Sequence, residues 1–315
     1  MSDDTRATTA EDIKAVPVRH YGRWAVAVVV SVFVASLLYS AARNERFKWD
    51  VVGDYLFSDR VLNGLWLTLW LSTVAVVIGV ILGTALAIMR LSSNPVLSTI
   101  SLVYIWFFRG TPVLVQLIGW AFIGALYPEI SFGVPFGGPD LISGSGNDII
   151  TPITAAILGL GLNLAAYQSE IVRAGLLSVD EGQVEAGKAL GLTGSQTMRR
   201  IVLPQAMRVI IPPTGNQAID MLKTSSLVSV IAVSDLLYSV QLIYGQNYQQ
   251  IPLLVVACIW YLFFTTLLSI GQYYLERHYA KGNVRSLPPT PLQRIRARTA
   301  GMRFGASGGG GGAGA

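Results

Sequence analysis

Residues 185–204 read EAGKALGLTGSQTMRRIVLP, a polar, glycine-punctuated stretch set between segments apolar enough to span a bilayer. Ser178 or Asp180 can cap a helix start, and Val184–Leu190 is rich in good helix formers. Gly191 then supplies a left-handed stop. Thr193-Gly194-Ser195-Gln196 has the spacing of a capping box, which opens a second short helix through Thr197–Val202 toward Pro204. The expected product is a helix, a glycine turn and a helix. Small Ala186, Gly187 and Gly191 would let this element press backbone-close into a partner's groove, with Glu185 and Arg199 or Arg200 making charged contacts at the rim. A DNA-reading helix-turn-helix is the alternative, but a segment tethered by membrane spans on both sides does not readily enter a major groove.

Composition places the flanking segments in a membrane. The 315 residues are 52% hydrophobic and 13% charged, against about 25% charged for soluble domains. Six apolar runs match the ~30 Å hydrocarbon core: roughly Trp24–Ala42, Leu62–Met89, Ser101–Tyr127 with an interruption, Ile149–Val172, Ile210–Tyr238 and Ile251–Leu275. Backbone in lipid must satisfy its own hydrogen bonds, so each run is expected to be helical. The fold class is therefore an all-α polytopic membrane bundle of six transmembrane helices, spanning residues 24–276, with tails at 1–23 and 277–315.

Basic residues set the orientation. They collect in the N-terminal tail (Arg6, Lys14, Arg19, Arg23), in the insertion (Lys188, Arg199, Arg200, Arg208) and after the last run (Arg277, Lys281, Arg285, Arg294, Arg296, Arg298, Arg303). With six spans these regions share one side, which places both termini and the insertion in the cytoplasm of a multi-pass plasma-membrane protein. Pro128–Asp148, with Glu129, Asp140 and Asp148 but no Lys or Arg, and the uncharged loop Gln241–Gln250 fall opposite. Arg43–Arg60 is mixed. A polar helix pair of this kind, held between two spans, is what a membrane subunit needs to take mechanical work from a separate soluble motor.

Other functions are disfavoured. The net charge of +5 is spread over loops and tails and forms no aromatic-interleaved patch, so nucleic acid is not the expected partner. The lone Cys258 lies inside the last run and is read as inert packing. The first run, behind Arg19 and Arg23, is long for a secretory signal and lacks a clear A-x-A site, so it reads as an uncleaved span. Residues Met1–Val18 are polar and charge-mixed, the LPPTP linker at Leu287–Pro291 reads as extended, and the Gly-rich end Gly301–Ala315 cannot bury enough surface to fold. No phosphate-loop motif, metal-ligand spacing or nucleophile elbow is present, so neither ATP hydrolysis nor other catalysis is expected of this chain.

Glu185-Ala186-Gly187, Gly191, Ile201 and Leu203-Pro204 match, spacing included, the EAA signature of the membrane subunits of bacterial ABC importers. Gly187, where that signature usually has Ala, is the departure. Phe108-Arg109-Gly110-Thr111-Pro112, Ala166–Arg173, Gly182-Gln183, Pro204-Gln205-Ala206 and Lys223–Leu227 further resemble the polar amino-acid permeases. The resemblance covers roughly Asn63–Tyr279 and implies a type I importer-like core of five spans, with Trp24–Ala42 as an added N-terminal helix. It also implies that residues 178–208 are a coupling loop docking on an ATP-binding subunit through Glu185, Ala186, Gly187, Gly191, Ile201, Leu203 and Pro204. The implied partners are two ATP-binding subunits carrying ATP and Mg, a second permease subunit, identical or homologous, and an extracytoplasmic solute-binding protein that delivers an amino acid, with contacts near Pro128–Asp148. No cofactor is implied for this chain itself.

Polar residues inside spans are functional candidates by default. The fifth run contains Asn216, Gln217, Asp220, Lys223, Ser225, Ser226 and Ser229. Asn216, Asp220 and Lys223 share a helix face that Asn163 and Gln168 of the fourth run can approach. One reading is a translocation path complementary to a zwitterion. The other is an internal Asp220–Lys223 pair that holds helices together. Glu170 and Arg173, one turn apart, are read either as a local ion pair or as part of a gate. Pro112 should break the third run near Arg109, itself read as an anchor. An ion-driven carrier using Asp220 and Lys223 is the competing function, though no repeat of two halves is evident and the insertion would be unexplained; a channel or purely structural protein would likewise need no such insertion.

Overall fold

The computed structural model describes residues 21–133 and 140–279; the expectations for residues 1–20 and 280–315 lie outside them. Among the described residues, four helices are long and apolar enough to cross a membrane unaided: α1 (Tyr21–Arg43), α3 (Asp59–Arg90), α8 (Pro152–Leu177) and α13 (Gln250–Tyr279). Two more crossings arise if each of two bent helix pairs counts as one span, giving up to six.

Between α1 and α3 the chain is helical, with a 3-10 turn at Glu45–Phe47 and helix α2 (Trp49–Leu56). The third run is not one rod. Helix α4 (Pro95–Gly110) and α5 (Val113–Ala121) meet at 100°. Thr111 is extended, at φ −115° and ψ 143°, as the residue before a proline prefers. A short turn, α6 (Ile123–Leu126), leads to an antiparallel hairpin of β1 (Glu129–Gly133) and β2 (Asp140–Ser145), with Glu129 opposite Ser145. The expected loop Pro128–Asp148 thus carries this strand pair and runs into the short helix α7 (Gly146–Ile149).

After α8, the insertion folds into α9 (Glu181–Ala189) and α10 (Gly194–Thr197), then a π turn at Met198–Val202. Its second helix does not stop at Pro204. The π turn runs straight into α11 (Leu203–Thr224), where Pro204 sits in the first turn. Proline has no N–H to give the preceding turn and its ring crowds the carbonyl four residues back. Widening that turn, with the Leu203 N–H bonded to the Met198 carbonyl, lets the helix pass through. The fifth run is likewise interrupted: α11 gives way to a 3-10 turn at Ser225–Ile231, and α12 (Leu236–Asn247) starts after a 46° bend. Residues 241–247, expected in a loop, are therefore helical.

The spanning core is built on α3 and α8, whose backbones approach closely. A Cβ on Gly83 would lie 2.7 Å from the Gln168 Cβ and 2.8 Å from the Ala165 carbonyl, so only glycine allows this crossing. Leu71, Ala75, Leu117, Leu160, Leu164 and Val228 fill the centre. A second cluster around Val61, Leu236, Val240 and Leu253 joins α3, α12 and α13. Cys258 is exposed on α13, which corrects its expected place in the packing. No residue of α1 is buried.

Candidate functional site

The insertion is held by local chemistry. Asp180 caps α9, its Oδ1 accepting from the Gly182 N–H at 2.8 Å. At the other end the Leu192 N–H reaches the Gly187 carbonyl (3.0 Å) and the Gly191 N–H the Lys188 carbonyl (2.9 Å), a Schellman closure with Gly191 at φ +75°. Thr193 and Gln196 form a reciprocal capping box: Oγ1 of Thr193 accepts from the Gln196 N–H, and Oε1 of Gln196 from the Thr193 N–H at 2.9 Å. Gln205 of α11 donates to the Ile201 carbonyl and to Gln183 Oε1, tying the insertion to the next span.

The signature residues divide into two groups. Glu185, Ala186, Gly191, Leu203 and Pro204 are exposed. Gly187 is buried and Ile201 half-buried, packed inside the element. A Cβ at Gly187 would come within 2.9 Å of Thr197 Cγ2, so Gly187 brings α9 and α10 together; it does not face a partner's groove. The buried Thr197 Oγ1 has no hydrogen-bond partner. Leu190, 79% exposed beside the glycine turn, is an apolar knob that motif matching passed over.

The intramembrane candidates also separate. Gln168 is buried, and its Nε2 donates to Thr214 Oγ1 at 2.8 Å, a tie between α8 and α11. Asn163 donates to the Phe108 carbonyl (3.0 Å) and to Gln116 Oε1 (3.2 Å). Gln116 in turn donates to the carbonyls of Phe108 and Thr111 and to the Thr111 hydroxyl. The pair supplies hydrogen bonds to backbone carbonyls at the 100° break, which otherwise would have none in lipid. Ser226 bonds the Lys223 carbonyl of its own turn. Glu170 accepts from Arg173 at 2.8 Å, as the local pairing predicts.

Glu170 also lines a groove of about 400 Å³ with Arg109, Tyr167, Pro213 and Gln217. The Arg109 guanidinium sits 5.2 Å from the centre of the Tyr167 ring. On α11, Asp220 and Lys223 pair at 2.8 Å with both side chains more than half exposed, and Asn216 is exposed on the same face. Arg109, Tyr167 and Gln217 all lie in segments singled out by sequence; their convergence does not follow from spacing.

The family described as binding-protein-dependent transport system inner membrane component matches residues 75–281. The arginine transport system permease protein ArgU of Corynebacterium glutamicum is 47% identical over 92% of this chain and 90% of its own length. The L-cystine transport system permease protein TcyB of Bacillus subtilis is 36% identical over 73% of this chain and 90% of its own. Among solved structures, an amino acid ABC transporter crystallised with histidines superposes at TM-score 0.60, with 33% identity, covering 70% of this chain and 94% of that one.

Proposed function

The chain belongs to the family of binding-protein-dependent transport system inner membrane components, and on that premise we propose a division of labour among its parts. It is a multi-pass membrane permease subunit of an ATP-driven amino-acid importer, with hydrolysis in separate ATP-binding subunits. The face of α11 with Asn216, Asp220 and Lys223, next to the Arg109–Tyr167–Glu170 groove, lines the path between this chain and a second permease. The exposed part of the insertion (Glu185, Ala186, Leu190, Gly191, Leu203 and Pro204) docks on the ATP-binding subunit, which carries ATP and Mg. Gly187 and Ile201 hold that surface in shape from within. This chain itself binds no cofactor.

One observation carries the reading: an ion pair stands on the outer surface of a spanning helix. Charges facing hydrocarbon are costly, so this face needs water or a protein neighbour, and a path shared by two permeases provides both. The basic residues of the insertion support a cytoplasmic position for it and hence for both termini. The hairpin then lies at the opposite end of α8, where an extracytoplasmic binding protein can deliver its ligand. The relative at 47% identity makes arginine the first amino acid to assay.

Exchanging the charges tests the path. The double variant Asp220→Lys with Lys223→Asp keeps an ion pair at the same spacing but reverses its field along the path. In liposomes with ATP-binding subunit and binding protein, the complex should assemble and arginine uptake should be lost. Uptake at the wild-type rate would reduce the pair to a structural one.

A further inference from the structure

On the side of α8 and α11 away from the polar groove, an apolar cavity of about 660 Å³ opens between α3 and α13. The helical period separates the two faces. On α8, Tyr167, Glu170 and Ala174 line the polar groove, while Gln168, Val172 and Leu176 line the apolar cavity. On α11, Val209, Pro213 and Gln217 face one, and Met207, Ile211 and Ala218 the other. If the polar side faces the path, the apolar side faces away from it, toward lipid.

We propose that this cavity is a binding site for one acyl chain of an anionic phospholipid from the leaflet on the insertion's side. Three observations point to that occupant. First, the walls offer no free polar handle: Thr84 bonds the Val80 carbonyl, and Gln168 and Thr214 bond each other. Second, the α3 wall is the single stripe Val76, Val80, Thr84 and Ile88, about 18 Å long at 1.5 Å per residue, close to the depth of one leaflet at about 15 Å. Third, the end of the cavity at Met198 and Met207 carries the exposed Arg199 and Arg208 as the next residues in the chain, long cationic side chains at the level where an anionic headgroup would sit. The chain would lie against Met198 and Leu203, on either side of the π turn that joins the insertion to α11.

The lipid reading is tested on the detergent-purified permease in complex with its ATP-binding subunits. The probe is a phosphatidylglycerol with a photoreactive group midway along one acyl chain, with crosslinked residues mapped by peptide mass spectrometry. Label should concentrate on both residues 76–88 and residues 207–218. Val80→Trp, which fills the cavity, should lower that labelling about tenfold, since each excluded CH2 contributes substantially to lipid binding. Ile81→Trp, at a position 67% exposed on the outer face of α3, should leave it unchanged and controls for a bulky aromatic on this helix. Label spread evenly along α1 and the outer face of α3 would overturn the proposal. So would a second copy in the cavity, read as disulfide-linked permease dimers formed by Thr84→Cys in a Cys258→Ser background. None of these readouts depends on uptake, so they stand apart from the path reading above.

Discussion

At the scale of single residues, Thr197 and Gly187 show how tightly the insertion is built. Thr197 packs where any side chain at Gly187 would sit, and its buried hydroxyl has no partner. A buried, unpaired hydroxyl costs about 1–3 kcal/mol. Thr197→Val keeps the shape and removes that group, so the thermal midpoint of the purified complex should rise by a few degrees, with uptake retained. A fall in midpoint would mean that the hydroxyl is satisfied when the insertion is docked. The departure from the usual alanine at Gly187 was legible in sequence, but its reason was not. Motif comparison reads the position as a small residue facing outward, whereas the close contact is internal and involves a residue ten positions later.

Among elements, the break between α4 and α5 is the most exposed to damage. Pro112 announces it, but the proline says nothing about how the freed carbonyls are satisfied. Gln116 reaches two of those carbonyls, Phe108 and Thr111, and the Thr111 hydroxyl, all within 3.1 Å, and Asn163 shares the first. Gln116→Leu removes those donors and leaves Asn163 one acceptor fewer. The Phe108 carbonyl keeps its bond from Asn163, but the Thr111 carbonyl loses its partner; an unpaired carbonyl in an apolar setting costs about 1–3 kcal/mol, so the purified complex should show a clearly lower thermal midpoint. Wild-type stability in this variant would mean that water at the break replaces the side chain. The insertion presents the opposite case, because its caps, glycine stop and capping box are set by neighbours within a few residues. Both short helices are therefore legible in sequence, whereas the π turn that carries the chain past Pro204 into α11 is not, because a proline by itself is equally a stop signal.

For the whole molecule, α1 stands apart. None of its residues is buried, and its link to the rest of the bundle includes one hydrogen bond from Trp49 Nε1 to the Ala41 carbonyl at 3.2 Å. The family match begins at residue 75. Deleting residues 1–43 should therefore leave the complex assembled, with its thermal midpoint and uptake unchanged when expression is matched. Loss of assembly would instead show that α1 packs against a partner chain.

Sequence alone determined the membrane class, the six apolar runs, the polar insertion and its caps, because hydropathy, helix period and capping act between residues a few positions apart. Only the tertiary structure decided which polar residues bind helices together and which remain open. Gln168 meets Thr214 across 46 positions and Asn163 meets Phe108 across 55. Asp220 and Lys223 pair within one turn and stay exposed. In composition these residues are alike: each is a polar side chain within an apolar run. A hydrogen bond between distant segments depends on where whole helices pack, and that placement is set by the close crossing of α3 and α8, not by any local pattern.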